Sequence, residues 1–132
     1  MAEVIYPELS FKLVGLAYDV FNNLGYGLQE KSYQNAYEQG LINCKYKYER
    51  EKMIELFYGG KKVGKYFLDF LVDNSIIVEL KVAPFVEHVP VKQVREYLKL
   101  CNKHLAIVLY FTQEGVKVFR ILNSSYSINS LA

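Results

Sequence analysis

Apolar residues recur at helical spacing through the first part of the chain. Leu9, Leu13, Leu16, Ala17, Val20, Phe21 and Leu24 fall three and four positions apart, which makes one buried stripe of an amphipathic helix. Pro7 and Glu8 mark its start, because a first turn tolerates proline and favours an acid. Leu24-Gly25-Tyr26-Gly27 marks its end, where a glycine can take the left-handed conformation. A second helix is predicted over about 29–39, closing at Gly40, with Glu30, Tyr33 and Tyr37 on one face. From Lys45 to Phe57 the pattern alternates as in a strand, and Tyr58-Gly59-Gly60-Lys61 turns it into a hairpin. Two further strands follow at about 66–72 and 76–82. After Pro84 a linker with Glu87, His88 and Pro90 leads into a helix over 91–101, whose inner face is Val94, Tyr97, Leu98 and Cys101. The run 105–111 is apolar throughout and fits a buried strand, and 116–122 supplies another. The predicted order is α-α-β-β-β-α-β-β, an α/β or α+β fold with a mixed central sheet flanked by helices. One domain spans 1–132, with its core at about 8–123 and a polar tail at 124–132.

Three charges interrupt the greasy strands of 65–82. Asp69 lies in the first, Glu79 and Lys81 in the second. Side chains alternate faces along a strand, so Glu79 and Lys81 share one. The turn decides whether Asp69 joins them. A three-residue turn at Asp73-Asn74-Ser75 sets Val72 against Ile76 and, by the same count, Asp69 against Glu79. A two-residue turn would set Asp69 against Val78 and point it away. The three-residue turn, or a bulge, is the expectation. Two carboxylates at roughly 4 Å repel by about 4 kcal/mol at an effective dielectric near 20. One lysine offsets that only in part, which makes a divalent cation the natural counter-ion. Oxygen donors suit magnesium or manganese better than zinc.

Composition narrows the classes. In 132 residues, 52% hydrophobic and 15% aromatic content exclude disorder, and a net charge of +2 confines any nucleic-acid contact to local clusters. Lys45, Lys47, Arg50, Lys52, Lys61, Lys62 and Lys65 form one such stretch, interleaved with tyrosines. They read either as a solvated outer face or as groups that meet phosphates while the rings stack on bases. Cys44 and Cys101 lack framework spacing and are expected to be reduced thiols of a cytoplasmic protein. No apolar run reaches the roughly 20 residues needed to span a bilayer, so no membrane partner is expected. His88 and His104 have no partner at metal or triad spacing. Glu30 alone reads as a first-turn acid complementing the helix dipole. No P-loop, GxGxxG or nucleophile elbow is present.

Asp69 followed by Glu79-Leu80-Lys81 resembles the D…ExK signature of the PD-(D/E)xK nuclease superfamily. Gly27-Leu28-Gln29-Glu30-Lys31-Ser32-Tyr33 resembles the motif that names the GxxExxY branch. Gln93-Val94-Arg95-Glu96-Tyr97 resembles the QxxxY helix of RecB-like and lambda-exonuclease-like members. The match runs from about Glu8 to Asn123 and departs at two points. Leu68 stands in the place of the superfamily's proline, and Phe21 where a first-helix histidine is expected. The resemblance implies a restriction-endonuclease-like core and Mg²⁺- or Mn²⁺-dependent hydrolysis of phosphodiesters in DNA, or RNA. It implies Asp69, Glu79, Glu30 and the Leu80 carbonyl as metal ligands, Lys81 as the group orienting water, and Gln93 and Tyr97 as supports. Lys61, Lys62, Lys65 and Tyr33 are expected to contact nucleic acid, and a homodimer or higher oligomer to supply further grip. The competing expectation is a non-catalytic nucleic-acid-binding or regulatory module on the same fold.

Overall fold

A computed structural model describes residues 6–124. The elements follow in the order α1 Pro7–Leu24, α2 Glu30–Asn43, β1 Tyr48–Tyr58, β2 Lys61–Val72, β3 Ile76–Val82, α3 Val91–Cys101, β4 Leu105–Thr112 and β5 Gly115–Leu122. The strands form one sheet in the order β1-β2-β3-β4-β5. Only β3 and β4 run parallel, and the other neighbours are antiparallel. A parallel neighbour needs a crossover, and the stretch containing α3 supplies it.

The helices cover the two faces unequally. Leu13, Ala17, Tyr37 and Leu41 of α1 and α2 pack with Phe70, Val78, Leu80 and Phe111 on one face. Val94, Tyr97 and Leu98 of α3 pack with Leu71, Ile77, Val108 and Ile121 on the other. Strand β4 is therefore covered on both sides and buried along its whole length, as an unbroken apolar run requires.

Three boundaries differ from the sequence expectation. Helix α2 continues to Asn43 instead of closing at Gly40. Gly40 is where α1 comes close: a Cβ placed there would meet Leu16 Cδ1 at 2.2 Å. Its lack of a side chain serves close helix packing, not termination. Strand β1 begins at Tyr48 instead of Lys45, because Lys45 sits at φ +63° in the turn out of α2. Strand β2 begins at Lys61, directly after the Gly59-Gly60 turn, so the hairpin is longer than its apolar stretch. It pairs with β3 only over 70–72. The rest of β1 and β2 runs on as a two-stranded ribbon.

Candidate active site

The turn between β2 and β3 has three residues. Asp73 and Asn74 both take φ +52°, a region open to short polar side chains, and Ser75 N–H donates to the Val72 carbonyl at 3.0 Å. Val72 pairs with Ile76, Leu71 with Ile77 and Phe70 with Val78. The same register brings Asp69 opposite Glu79, where backbone pairing gives way to side chains. Asp69 N–H donates to Glu79 Oε2 at 2.6 Å, and Leu80 N–H donates to Asp69 Oδ2 at 2.8 Å. Each carboxylate thus clasps the opposite strand with one oxygen, leaving its second oxygen outside this pair of bonds.

Strand β1 is irregular at the same level, with Glu51 left out of its pairing to β2. Glu51, between the residues that pair with Phe70 and Leu68, takes φ +53°. Leu68 packs under α3 while Phe70, two residues on, packs under α1 and α2. Arg50 fixes the α2 side through Glu38 at 2.9 Å and Asn35 at 2.8 Å.

The electrostatics tie four groups together. Glu79 is only 7% exposed. Burial and then the Asp69 charge push its carboxyl up to about 8, against the Asp69 N–H bond and Lys81. Asp69 is raised by burial, opposed by the Leu80 N–H, Lys81 and Arg50. Glu30, the first residue of α2, is raised by burial and by Asp69 and lowered by Lys81. Tyr97 is pushed up to about 12 by burial and by Glu79, Tyr66 and Asp69. At neutral pH its phenol keeps its proton.

Among the described residues, no three His, Cys, Asp or Glu side chains stand grouped as a finished metal cage. The donor chemistry nevertheless fits a hard divalent cation. Two carboxylates each have an oxygen outside the clasp, a third stands within electrostatic reach, and all three are shifted in the direction that added positive charge reverses.

Lys81 and Gln93 share a cleft of about 950 Å³ between the sheet and α3. Asp69, Glu79 and Glu30 stand outside its lining, coupled to it through Lys81. Tyr66, Tyr110, His88, Lys92 and Glu96 also line it and were missed as site residues. The sequence holds a trace of them: Lys92 and Glu96 flank Gln93 on α3, and Tyr110 is the β4 partner of Lys81.

Tyr33 must be reassigned. It is 0% exposed, stacks on Phe111 with centroids 4.8 Å apart, and has no surface to offer a base. Its hydroxyl donates to the Gly25 carbonyl at 2.5 Å and accepts from Leu28 N–H at 3.3 Å. Tyr33 therefore fastens the loop that delivers Glu30. Lys61, Lys62 and Lys65 lie on the β1–β2 ribbon, where Lys62 approaches Glu55 at 3.7 Å and Lys65 lies 5.6 Å from the centroid of the Phe67 ring. At roughly 3.3 Å per strand residue, Lys65 is about 13 Å and Lys61 about 26 Å from Asp69.

The sequence profile of the PD-(D/E)XK nuclease superfamily matches residues 7–121. A solved crystal structure, that of SSO0001, superimposes with a TM-score of 0.55 at 22% identity, over 89% of this chain and 57% of that one. The chain thus spans just over half the length of that protein, and the likeness is one of fold. No curated protein matches the sequence.

Proposed function

Because the chain belongs to the PD-(D/E)XK nuclease superfamily, we propose that it is a metal-dependent nuclease cutting phosphodiester bonds, in DNA first and RNA second. The reading is carried by the reciprocal clasp between Asp69 and Glu79, with Lys81 beside it. Evolution toward mere stability would have little reason to set two coupled acids into the middle of a sheet, since apolar residues fill such positions at lower cost.

Asp69 and Glu79 would hold Mg²⁺ or Mn²⁺, with Glu30 and the Leu80 carbonyl completing the set. Such an ion supplies Lewis-acid polarisation of the phosphodiester and stabilises the charge that builds on its oxygens. The chain's own groups do the rest. The Lys81 ammonium orients the incoming water and offsets negative charge in the transition state. Gln93 shares the cleft with Lys81 and positions the phosphate from the α3 side, while Tyr97 keeps its proton within electrostatic reach of Glu79 and Asp69.

Gly27 at φ +119°, Glu30 at the head of α2 and the buried Tyr33 support placement in the GxxExxY branch. We place its action in the cytoplasm, in keeping with two free thiols, and expect a homodimer to lengthen its grip on substrate. The basic ribbon with Lys61, Lys62 and Lys65 is the surface we assign to more distant phosphates.

A second reading, a binding module without turnover, is favoured by one observation: the described residues form no finished three-donor cage. One experiment separates the two. Linear, nicked, circular and single-stranded DNA are incubated with the protein in Mg²⁺, in Mn²⁺ and in EDTA. Cleavage that needs metal and disappears in Lys81→Ala and Glu79→Ala supports the nuclease. Binding without cleavage in every metal overturns it.

A further inference from the structure

We propose that the cleft between α3 and the sheet is a subsite for one unpaired nucleotide of the strand being cut, making single-stranded or locally opened nucleic acid the preferred substrate. The inference rests on the nuclease reading and adds the substrate form to it. Four observations carry it.

The first is size. A cleft of about 950 Å³ lies within the range that receives small ligands, and is ample for one nucleoside. A base still stacked in a duplex cannot enter such a space without leaving its neighbours. The second is position. Lys81 forms part of the wall, and Glu79, two residues earlier on β3, shares its face, so a nucleotide seated there brings its phosphate to the side of the sheet that carries Glu79.

The third is the wall chemistry. Tyr110 stands next to Lys81 across the parallel β3–β4 pair, and Tyr66 enters from β2. Both rings are held by aromatic neighbours: Tyr66 by Tyr97 at 5.1 Å and Tyr110 by Phe119 at 6.5 Å. Val89 and Pro90 complete an apolar wall. Aromatic rings of this kind supply sequence-tolerant stacking for an unpaired base.

The fourth is charge. Lys81 and Lys92 line the cleft against a single acid, Glu96. Lysines there match a phosphate backbone, whereas an apolar peptide would leave them without partners. Glu96 offers an acceptor to the base edge, while Gln93 stays with the phosphate.

The test uses the full chain with Glu79→Gln to prevent cleavage, and a labelled oligonucleotide as single strand and as blunt duplex, each with an internal 2-aminopurine. The single strand is expected to bind about tenfold more tightly than the duplex by anisotropy, with the 2-aminopurine signal changing on binding. Val89→Trp, which fills the cleft, and Lys92→Glu, at an exposed helix position, should each reduce the preference to less than about threefold. Thermal melting checks folding, and the exposed Lys92 variant decides the matter if Val89→Trp does not fold. Equal affinity for both forms, or a preference untouched by the folded variants, overturns the subsite. If wild type with Mn²⁺ cuts both forms while Glu79→Gln binds them equally, the subsite is wrong and the nuclease reading stands. If wild type neither binds nor cuts nucleic acid, the nuclease reading falls and takes the subsite with it.

Discussion

Tyr33 carries its role in its hydroxyl. The ring is packed against Phe111, but the oxygen joins Gly25 and Leu28 across the α1–α2 loop and so sets where Glu30 begins α2. Tyr33→Phe keeps the ring and removes both bonds. The expected cost is about 1–2 kcal/mol in urea unfolding, since two backbone groups lose a buried partner. The accompanying loss of cleavage should be partial, because Glu30 is displaced and not removed. Lys81 is the opposite case, a side chain whose loss the fold tolerates. Lys81→Ala should lower kcat by about 10²–10³-fold, the usual effect of deleting one preorganised transition-state group. Its Tm should stay close to wild type, because Lys81 is half-buried and takes no part in the clasp. A Tm drop as large as that of a core truncation would assign Lys81 to stability instead.

At the scale of elements, the decisive feature is a turn length. Once the three-residue turn is taken over the two-residue one, Asp69 falls against Glu79, because strand side chains have period two and register follows from the loop. The helical and strand periodicities located all eight elements for the same reason. What the sequence hid were features made by one element on another. Gly40 reads locally as a helix stop, yet it is a contact point for Leu16 of α1. Tyr33 reads locally either as a core ring or as one that meets nucleic acid, and only the packing of the sheet decides for the core. The cleft is assembled from β2, β3, β4, α3 and the loop before it, and no local pattern announces that. The α1–α2 contact gives a clear prediction. Gly40→Val should destabilise by about 1–3 kcal/mol through overpacking. Leu16→Ala combined with it should cost less than the sum of the two changes, because the same atoms collide. Denaturant melts of the two single variants and the double variant measure the coupling, and strict additivity would refute the contact.

For the whole molecule, the site sets how stability depends on pH. The Glu79 carboxyl rises from 4.5 to about 8 in the fold, first through burial and then through Asp69, and Asp69 and Glu30 shift in the same direction. The metal-free folded state therefore keeps a proton on Glu79 that the unfolded chain releases above about 4.5. More protons bound when folded means that unfolding becomes easier as pH rises. The Glu79 contribution is fully present below about 4.5 and is lost as pH climbs through about 8. In EDTA, wild-type Tm should fall between about pH 5 and about pH 8, and Glu79→Gln should flatten much of that slope. A divalent cation binds the ionised form and competes with the proton, so Mn²⁺ should raise Tm more at the alkaline end than at the acidic end. The difference between wild type and Glu79→Gln isolates this group from every other titration in the chain. A wild-type Tm that rises over this range in EDTA, with Mn²⁺ having the same effect at both ends, would mean the two acids are solvated surface groups. The coupling of charge to burial on which the active site depends would then be absent.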